Sequence, residues 1–366
     1  MKTESLPPIS VSGRIDVVRG RLDSAGCDAL VISDMSNIRW CTGFTGSSAV
    51  LVVGSSKSIL ITDGRYRIQA QSQLDEAGCD ASIEITQHAI TAAVNHLVGV
   101  RRIGLEAKSV SWSDQQMWSD AIDADLVATR EIVLELRSVK SSAEVARIQA
   151  AAEIVDRSLA DAVDMIEPGV SERRLALAID DGMRRLGAEG PAYETIVATG
   201  DHSALPHATP GERLLSSGDL VIVDAGALVE GYRSDMTRTF VVGGTPGSDQ
   251  TEEIIDIVMR AQAAGVARVA PGTAAGDIDL ACRAIIDESG HGEQFGHGTG
   301  HGVGLDIHEL PAVRKGNPGI LQPGNVLTVE PGIYIAGFGG VRIEDTVVVT
   351  GDGSRVLTKF PKFQSP

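Results

Sequence analysis

An internal duplication in the C-terminal two-thirds of the chain constrains its fold more than any other feature. The two copies read SGDLVIVDAG and PGNVLTVEPG, at residues 217–226 and 323–332. In each copy an acidic residue, Asp224 or Glu330, stands six positions after a turn glycine and ends an apolar strand. A returning strand then carries a second acid, Asp235 in the first copy and Glu344 in the second. The pattern predicts two similar halves, each containing an acidic strand hairpin.

Helices precede the hairpin in both halves. The first half has helical patterns at 143–165 and from Ser171 to Gly187, and the second has a helix that ends at Pro271-Gly272 and another that runs to Ser289-Gly290. A Pro-Gly pair ends a helix in each case, and Ser171 and Thr273 are hydroxyl residues that can cap the next one. Ser141 or Ser142, with Glu144 in the first turn, begins the first helix.

The acidic residues of the hairpins point to bound cations. A carboxylate in a strand as apolar as Leu220–Val223 is costly to bury unless its charge is compensated. Two halves packed around a pseudo-twofold axis would bring four carboxylates together, and these repel one another unless cations lie among them. Four carboxylates and one imidazole are a ligand set for two divalent ions such as Mn²⁺, Co²⁺ or Zn²⁺.

A histidine-rich stretch lies between the two halves' hairpins. Residues 295–309 read FGHGTGHGVGLDIHE and hold three of the chain's eight histidines. The glycines let this backbone be approached closely, and the alternation Leu-Asp-Ile-His after Gly304 predicts a short strand. The three imidazoles predict a metal or acid–base site, although the stretch by itself is also compatible with a surface loop. His202 and His291 lie outside it and are interpreted as solvated loop histidines.

The N-terminal third alternates strands with helices. Strands are predicted at 28–34, 48–53, 58–63, 81–85 and 102–106, and helices at 15–25, 66–77 and 91–98. This order predicts an α/β layer with a mixed sheet. Polar residues such as Asn37, Arg39 and Trp40 and the loop 43–47 either contact a ligand or form an ordinary turn. Residues 134–140 are predicted to cross into a second domain.

Composition excludes several classes of function. A length of 366 residues favours two domains, and a net charge of −17 argues against nucleic-acid or anionic-membrane partners. The four cysteines lack CxxC spacing and are interpreted as reduced thiols. With no apolar signal region and no apolar run of about 18 residues, the expected location is the cytoplasm.

These motifs resemble those of the pita-bread metallopeptidases, specifically the prolidase and aminopeptidase P branch. The stretch from His297 to Glu309 is similar to that branch's signature, and residues 37–46 and 62–66 resemble its creatinase-like N-terminal domain. The resemblance covers essentially the whole chain. It implies an α/β (α+β) architecture, with a creatinase-like N-terminal α/β domain at 1–135 and a pseudo-twofold pita-bread catalytic domain at 136–366.

The resemblance also implies a role for each site residue. The metal ligands would be Asp224, Asp235, His301, Glu330 and Glu344. Of these, Asp235 and Glu344 would bridge two ions. Asp224 would complete the coordination of one ion, and His301 with Glu330 would complete that of the other. Glu330 would also act as the general base.

Further residues would contact the substrate or support the ligands. His207 would contact substrate, His308 would stabilise the tetrahedral intermediate, and His297 would line the pocket. Arg342 matches the family's arginine, two residues before Glu344 and therefore on the same strand face. Tyr334 is a plausible supporting partner.

The implied activity is hydrolysis of the peptide bond before proline at the N-terminus of short proline-containing peptides. Two divalent ions, with manganese favoured and cobalt or zinc as alternatives, would lower the pKa of a shared water. Arg314 and Lys315 are candidates for holding a product carboxylate, which favours an Xaa-Pro dipeptidase. The alternatives are an Xaa-Pro aminopeptidase acting on longer peptides and a non-catalytic peptide-binding member of the fold. The resemblance further implies a homodimer, with residues 37–44 near the partner's site.

Overall fold

The computed structural model describes residues 6–363, which form two compact units, Pro7–Arg137 and a second that begins at Ser138. The domain boundary at 135/136 stays a prediction. Residues 134–137 of the predicted crossover are helical, since a short helix covers Ile132–Arg137. Within the described residues, no helix is both long and apolar enough to cross a membrane.

The first unit is a single mixed sheet with helices. Its strands are β1 Ala29–Ile32, β2 Ala49–Val53, β3 Ser58–Thr62, β4 Ser82–Ile85, β5 Arg102–Glu106 and β6 Asp125–Thr129, in the order β4-β3-β2-β1-β5-β6. Its helices are α1 Arg14–Arg19, α2 Met35–Thr42, α3 Arg67–Ala77, α4 Ala89–His96, α5 Trp112–Ala121 and α6 Ile132–Arg137. The predicted mixed sheet is confirmed, because β1 pairs antiparallel with β2 and parallel with β5. The first helix is shorter than predicted. The elements α2, α5 and β6 were not predicted, and Asn37, Arg39 and Trp40 lie in α2 and not in a turn.

Asn37 has an internal role in this unit. Its amide nitrogen donates to Glu106 Oε1 at 2.6 Å, and its amide oxygen accepts from Arg137 Nη1 at 2.7 Å. Burial raises the pKa of Glu106, which also accepts the backbone N–H groups of Ser33 and Asp34. Since both ends of the Asn37 side chain are engaged, this residue tethers α2 to β5 and α6.

The second unit carries the duplication. Its helices are α7 Ser142–Ala162, α8 Glu172–Arg185, α9 Asp249–Arg268 and α10 Ala275–Glu288. Its strands are β7 Gly190–Pro191, β8 Ile196–Thr199, β9 Leu220–Ala225, β10 Ala227–Val229, β11 Tyr232–Arg233, β12 Met236–Val241, β13 Gly300–Gly302, β14 Glu309–Val313, β15 Val326–Val329, β16 Gly332–Ile335, β17 Gly339–Arg342, β18 Asp345–Val349 and β19 Ser354–Val356. Two apolar clusters fill it, one between α7, α8 and the first half's strands and one between α9, α10 and the second half's strands.

Helix capping agrees with the sequence at two of three positions. Ser141 forms a capping box with Glu144 at the start of α7, and Ser171 accepts from the Arg174 N–H at the start of α8. The expected cap by Thr273 is wrong, because α10 begins after Ala274 and no side chain bonds its first turn. Alanine has no acceptor to offer the free N–H groups there.

The acidic hairpins form as predicted but with different registers. β9 pairs with β12 and β15 pairs with β18, both antiparallel. Asp224 lies opposite Thr237, so Asp235 lies beyond the last pair of its ladder. In the second half Val329 pairs with Asp345, which leaves Glu330 and Glu344 facing each other one step further on. The turn glycines that precede the two hairpins, Gly218 and Gly324, both have left-handed backbone with φ of 85° and 92°.

The strand predicted after Gly304 is wrong. Residues 304–308 form bends, and the strands lie on either side, in β13 and β14. A local turn replaces the ladder, because the Gly304 N–H donates to the Asp306 carbonyl at 3.1 Å. The Asp306 N–H then donates to the buried carboxylate of Glu309 at 3.0 Å. Alternation over four residues did not outweigh these local hydrogen bonds.

We expect Gly226→Ala to destabilise the second unit. A Cβ at this position would lie 2.0 Å from the Ser234 carbonyl oxygen and 2.8 Å from the Tyr193 ring. Forcing atoms into packed surroundings costs about 1–3 kcal/mol, and urea unfolding of the metal-depleted protein should show a loss of that size. Gly351→Ala is the control, because among the described residues no heavy atom lies within 4 Å of a Cβ there. Equal stability of the two variants would contradict the close approach.

Candidate metal centre

Three carboxylates converge where the two halves meet. Ligand atoms of Asp224, Asp235 and Glu344 all lie within 4.8 Å of one another. Asp224 is the second-last residue of β9, while Asp235 and Glu344 immediately precede β12 and β18. Asp235 and Glu344 are buried. The structure thus brings together three of the four predicted carboxylates, from both hairpins, and their role as metal ligands stays a prediction.

Glu330 and His301 lie on the other side of this cluster. His301 Nε2 is 3.3 Å from Glu330 Oε1 and 3.6 Å from Asp235 Oδ2. Its Nδ1 is 3.0 Å from the Gly302 carbonyl oxygen, which can only accept, so Nδ1 carries the proton. With Nδ1 engaged in this way, Nε2 is the ring nitrogen that faces the carboxylates and the one placed to bind a cation.

Tyr193 joins two of the carboxylates and was missed by the sequence analysis. Its hydroxyl is 2.5 Å from Asp224 Oδ1 and also contacts Asp235 Oδ1. A hydroxyl donates one proton, so both contacts are satisfied only when one carboxyl group is itself protonated. Burial, followed by the charges of Asp224 and Asp235, raises the pKa of Tyr193 well above its usual range. No sequence pattern marks this position.

A chain of hydrogen bonds leads from Asp224 to His297. Arg342 Nη2 donates to Asp224 Oδ2 at 2.6 Å, and Arg342 Nη1 donates to the Tyr334 hydroxyl at 2.9 Å. The Tyr334 oxygen is 3.0 Å from His297 Nε2, and His297 Nδ1 is 2.8 Å from the Gly298 carbonyl oxygen. Because that carbonyl can only accept a hydrogen bond, Nδ1 carries the proton and donates it to the bond. In the neutral ring Nε2 then accepts a hydrogen bond from the Tyr334 hydroxyl. Burial lowers the pKa of His297, which favours this neutral form.

The remaining predicted histidines line the same cavity. It has a volume of about 540 Å³ and is lined by all nine predicted site residues: His207, Asp224, Asp235, His297, His301, His308, Glu330, Arg342 and Glu344. The rings of His301 and His308 meet edge to face with centroids 4.4 Å apart. Burial, and then the neighbouring His301, lowers the pKa of His308. Arg314, Tyr193, Glu194 and Ile196 also line the cavity.

The histidine-rich backbone is held close to the ligands. Arg283 pairs with the buried Asp279 and donates to the carbonyls of Phe295 and His297 at 3.0 and 2.9 Å. Asp279 in turn accepts the N–H of Thr299 at 3.1 Å. At Gly300 a Cβ would lie 2.1 Å from the Thr328 carbonyl oxygen, so this close approach requires glycine.

His202 is not the solvated histidine that was expected. Its Nδ1 is 2.8 Å from the buried carboxylate of Glu172, and its side chain is 25% exposed. Glu172 also accepts the N–H groups of Thr199 and Gly211, at 2.9 and 3.0 Å. The loop that carries His207 is therefore tied down at both ends by one carboxylate.

The residues fit divalent cations. Among residues 6–363, Glu344 Oε1 is buried without a hydrogen-bond partner, while Oε2 accepts from Thr237 Oγ1 at 2.7 Å. Burial, followed by the charge of Asp235, raises the pKa of Glu344 well above its usual range, and burial with the charge of Asp224 does the same for Asp235. Burial and neighbouring negative charges destabilise the ionised form of these carboxylates, which therefore bind a proton or a cation to compensate for the lost hydration. Thr237 lies two residues after Asp235 and therefore on the same strand face. This spacing could have identified Thr237 from the sequence as a hydrogen-bond donor to the carboxylate cluster.

Two family descriptions match the sequence. Residues 146–351 match metallopeptidase family M24, and residues 14–139 match the creatinase/prolidase N-terminal domain. The two matches lie in succession along the chain and together span most of it.

Individual proteins are similar over nearly their whole length. An uncharacterized peptidase of Bacillus subtilis is 40% identical over 355 residues, covering 95% of this chain and 98% of the relative. The structure of an Xaa-Pro dipeptidase from Bacillus anthracis has a TM-score of 0.92 at 36% identity, covering 97% and 100% of the two chains. The structure of an X-Pro aminopeptidase from Thermotoga maritima has a TM-score of 0.83 at 34% identity, covering 93% and 98%.

Cation binding should release protons. Burial and the neighbouring carboxylates raise the pKa values of Asp235 and Glu344, so this pair holds a proton to higher pH than ordinary carboxyls do, whereas the ligands must be deprotonated to bind a cation. Affinity for Mn²⁺ should therefore rise with pH from about 4, the ordinary carboxyl range, up through the raised pKa values. Calorimetry in buffers of different ionisation enthalpy should show release on the order of one proton per chain. A binding enthalpy that does not depend on the buffer would contradict this.

Proposed function

The chain belongs to metallopeptidase family M24, and we propose that it is an Xaa-Pro dipeptidase that uses two divalent cations. One observation carries this proposal. Asp224, Asp235 and Glu344 bring ligand atoms within 4.8 Å of one another, at a cavity that also contains His301 and Glu330. His207, His297 and His308 line the same cavity, and in this proposal they contact the substrate.

In this proposal each ligand has its own part. Asp235 and Glu344 would be shared by the two cations, Asp224 would help to hold one of them, and His301 with Glu330 would help to hold the other. The unpaired Oε1 of Glu344, and the Nε2 of His301 that faces the carboxylates, support these assignments. Manganese is the favoured metal, because the set is dominated by carboxylate oxygens, and cobalt or zinc are alternatives.

When bound, the cations polarise the scissile carbonyl and lower the pKa of the attacking water. The protein supplies the proton transfers. Glu330 takes the proton of the water and passes it to the leaving nitrogen. Glu330 is held for this by Thr328 Oγ1, which donates to its Oε1 at 3.2 Å. With proline after the cut this nitrogen belongs to a tertiary amide, and like any peptide nitrogen it must gain a proton to leave as an amine.

The histidines divide the work of substrate binding. His308, kept neutral by its lowered pKa, still has one ring N–H with which to stabilise the developing oxyanion. His207 assists from the opposite loop, whose Pro206 carbonyl accepts from Arg342 Nη1 at 3.1 Å. His297, fixed by Tyr334 and Gly298, lines the space for the proline ring.

Substrate length depends on what meets the end of the peptide. Arg314 lines the cavity and is exposed, whereas its neighbour Lys315 is exposed but does not line it. In the described part of the chain neither side chain has an ion-pair partner, so the guanidinium of Arg314 is available to a carboxylate. This supports a dipeptidase. The likeness to an X-Pro aminopeptidase favours the second candidate, an aminopeptidase that acts on longer peptides.

Arg314→Ala should raise the KM for Ala-Pro about tenfold, which corresponds to about 1.4 kcal/mol. The expected loss is small for a charge-assisted hydrogen bond because the side chain lies at an exposed rim. Hydrolysis of Ala-Pro amide, which lacks the carboxylate, should change little. Lys315→Ala is the matched control and should behave as the wild type on both substrates. An equal loss on Ala-Pro and its amide would exclude a carboxylate-binding role.

The function itself is tested with Ala-Pro, Ala-Pro-Ala and Met-Ala-Ala, assayed side by side with added Mn²⁺. We expect Ala-Pro to be cleaved fastest and Met-Ala-Ala slowest. Asp235→Asn and Glu344→Gln should abolish turnover, because each removes a bridging carboxylate. Faster cleavage of Ala-Pro-Ala would favour the aminopeptidase, and preference for Met-Ala-Ala or near-normal turnover in either variant would refute the proposal.

We also propose a cytoplasmic location and a homodimer. The four cysteines are all free, and three of them are buried, which is consistent with a reducing compartment. The homodimer rests on the family resemblance, in which residues 37–44 approach the partner's site. Sedimentation of the purified protein tests it directly.

A further inference from the structure

A buried ion pair lies directly behind the acidic hairpins. Arg238 follows Asp235 by three positions and Asp345 follows Glu344 by one, so in alternating strands both point away from the face that carries the carboxylates. Arg238 Nη2 donates to Asp345 Oδ1 at 2.9 Å, and both side chains are 1% exposed. The pair joins the hairpin of the first half to that of the second.

The same network holds the backbone of both bridging residues. Arg238 Nη1 donates to the backbone carbonyl of Glu344. Thr346 Oγ1 donates to the backbone carbonyl of Asp235 at 2.7 Å. A shift of either hairpin would therefore break hydrogen bonds to the other one.

The C-terminal segment completes this network. We call residues 357–362 the C-terminal clamp. Asp345 accepts from four side chains, and two of them belong to the clamp: Thr358 Oγ1 to Oδ1 at 2.9 Å and Lys362 Nζ to Oδ2 at 3.1 Å. The other two are Arg238 and Gln262, and Lys362 also donates to Gln262 Oε1 at 2.6 Å.

The clamp is itself anchored to the second unit. Asp156 in α7 accepts the N–H groups of Lys359 and Phe360 at 2.8 and 2.9 Å. The Phe360 carbonyl accepts from Arg238 Nη2 at 2.7 Å, and its ring packs edge-on against Phe240. These contacts fix the position from which Thr358 and Lys362 reach Asp345.

We propose that the C-terminal clamp sets the separation of Asp235 and Glu344 and, through it, the affinity of the site for divalent cations. Thr358 and Lys362 are then positioning residues. Loss of either donor leaves a buried carboxylate short of partners, and Arg238 and Gln262 must shift to compensate. That shift moves both bridging carboxylates. The inference rests on the proposed function in one respect, that these two carboxylates bind cations.

The test is the affinity of the metal-depleted protein for Mn²⁺, measured by calorimetry. Thr358→Val removes one donor with little change of shape, and Lys362→Met removes the other at a partly exposed position. Each should weaken Mn²⁺ binding by about tenfold, the size usual for partners of metal ligands. Lys359→Met is the matched control and should bind as the wild type, since among the described residues its ammonium group has no partner.

Three outcomes separate the possibilities. Weaker Mn²⁺ binding by metal-depleted variants that remain folded in the assay buffer, as urea unfolding shows, supports the clamp. Affinity within twofold of wild type for both variants overturns it, whether or not they are less stable. Wild-type protein that binds no Mn²⁺, Co²⁺ or Zn²⁺ contradicts the proposed function instead, and removes the premise of the clamp with it.

Discussion

Repulsion among buried carboxylates is the constraint on which the rest of the second unit depends. Asp224, Asp235 and Glu344 are brought together from two hairpins, and burial raises the pKa of Asp235 and Glu344. Such a cluster is tolerated only if charge is supplied from outside or from neighbours. Arg342 supplies it on one side through Asp224, and Tyr193 bridges two members. The cavity, the histidines and the rear ion pair are all arranged around this requirement.

Each group of residues that faces the substrate is held by a different device. The loop of His207 is tied at both ends to Glu172, His297 is fixed through Tyr334, and the backbone before His301 is fixed by Asp279. None of these supports touches the cavity centre. Residues remote from the chemistry therefore fix its geometry, which is what preorganised catalysis requires.

Sequence reasoning reached the fold and the grouping of residues because both follow from repetition. Asp224 and Glu330 repeat six positions after a glycine, and their returning strands repeat the second acid. Tyr193 and the support of His202 by Glu172 were not predictable in this way, because neither belongs to a repeat or a regular spacing. The bend at 304–308 was mistaken for a strand, because a pattern of alternating residues does not reveal a side-chain hydrogen bond such as that from the Asp306 N–H to Glu309.

The two hairpins differ in register, and this makes the halves unequal. Glu330 and Glu344 face each other one step beyond their ladder, whereas Asp224 lies within its own ladder opposite Thr237. A protein assembled from two identical copies of either half would therefore not reproduce the carboxylate cluster. Its acids would lie at different positions along the strands from those seen here.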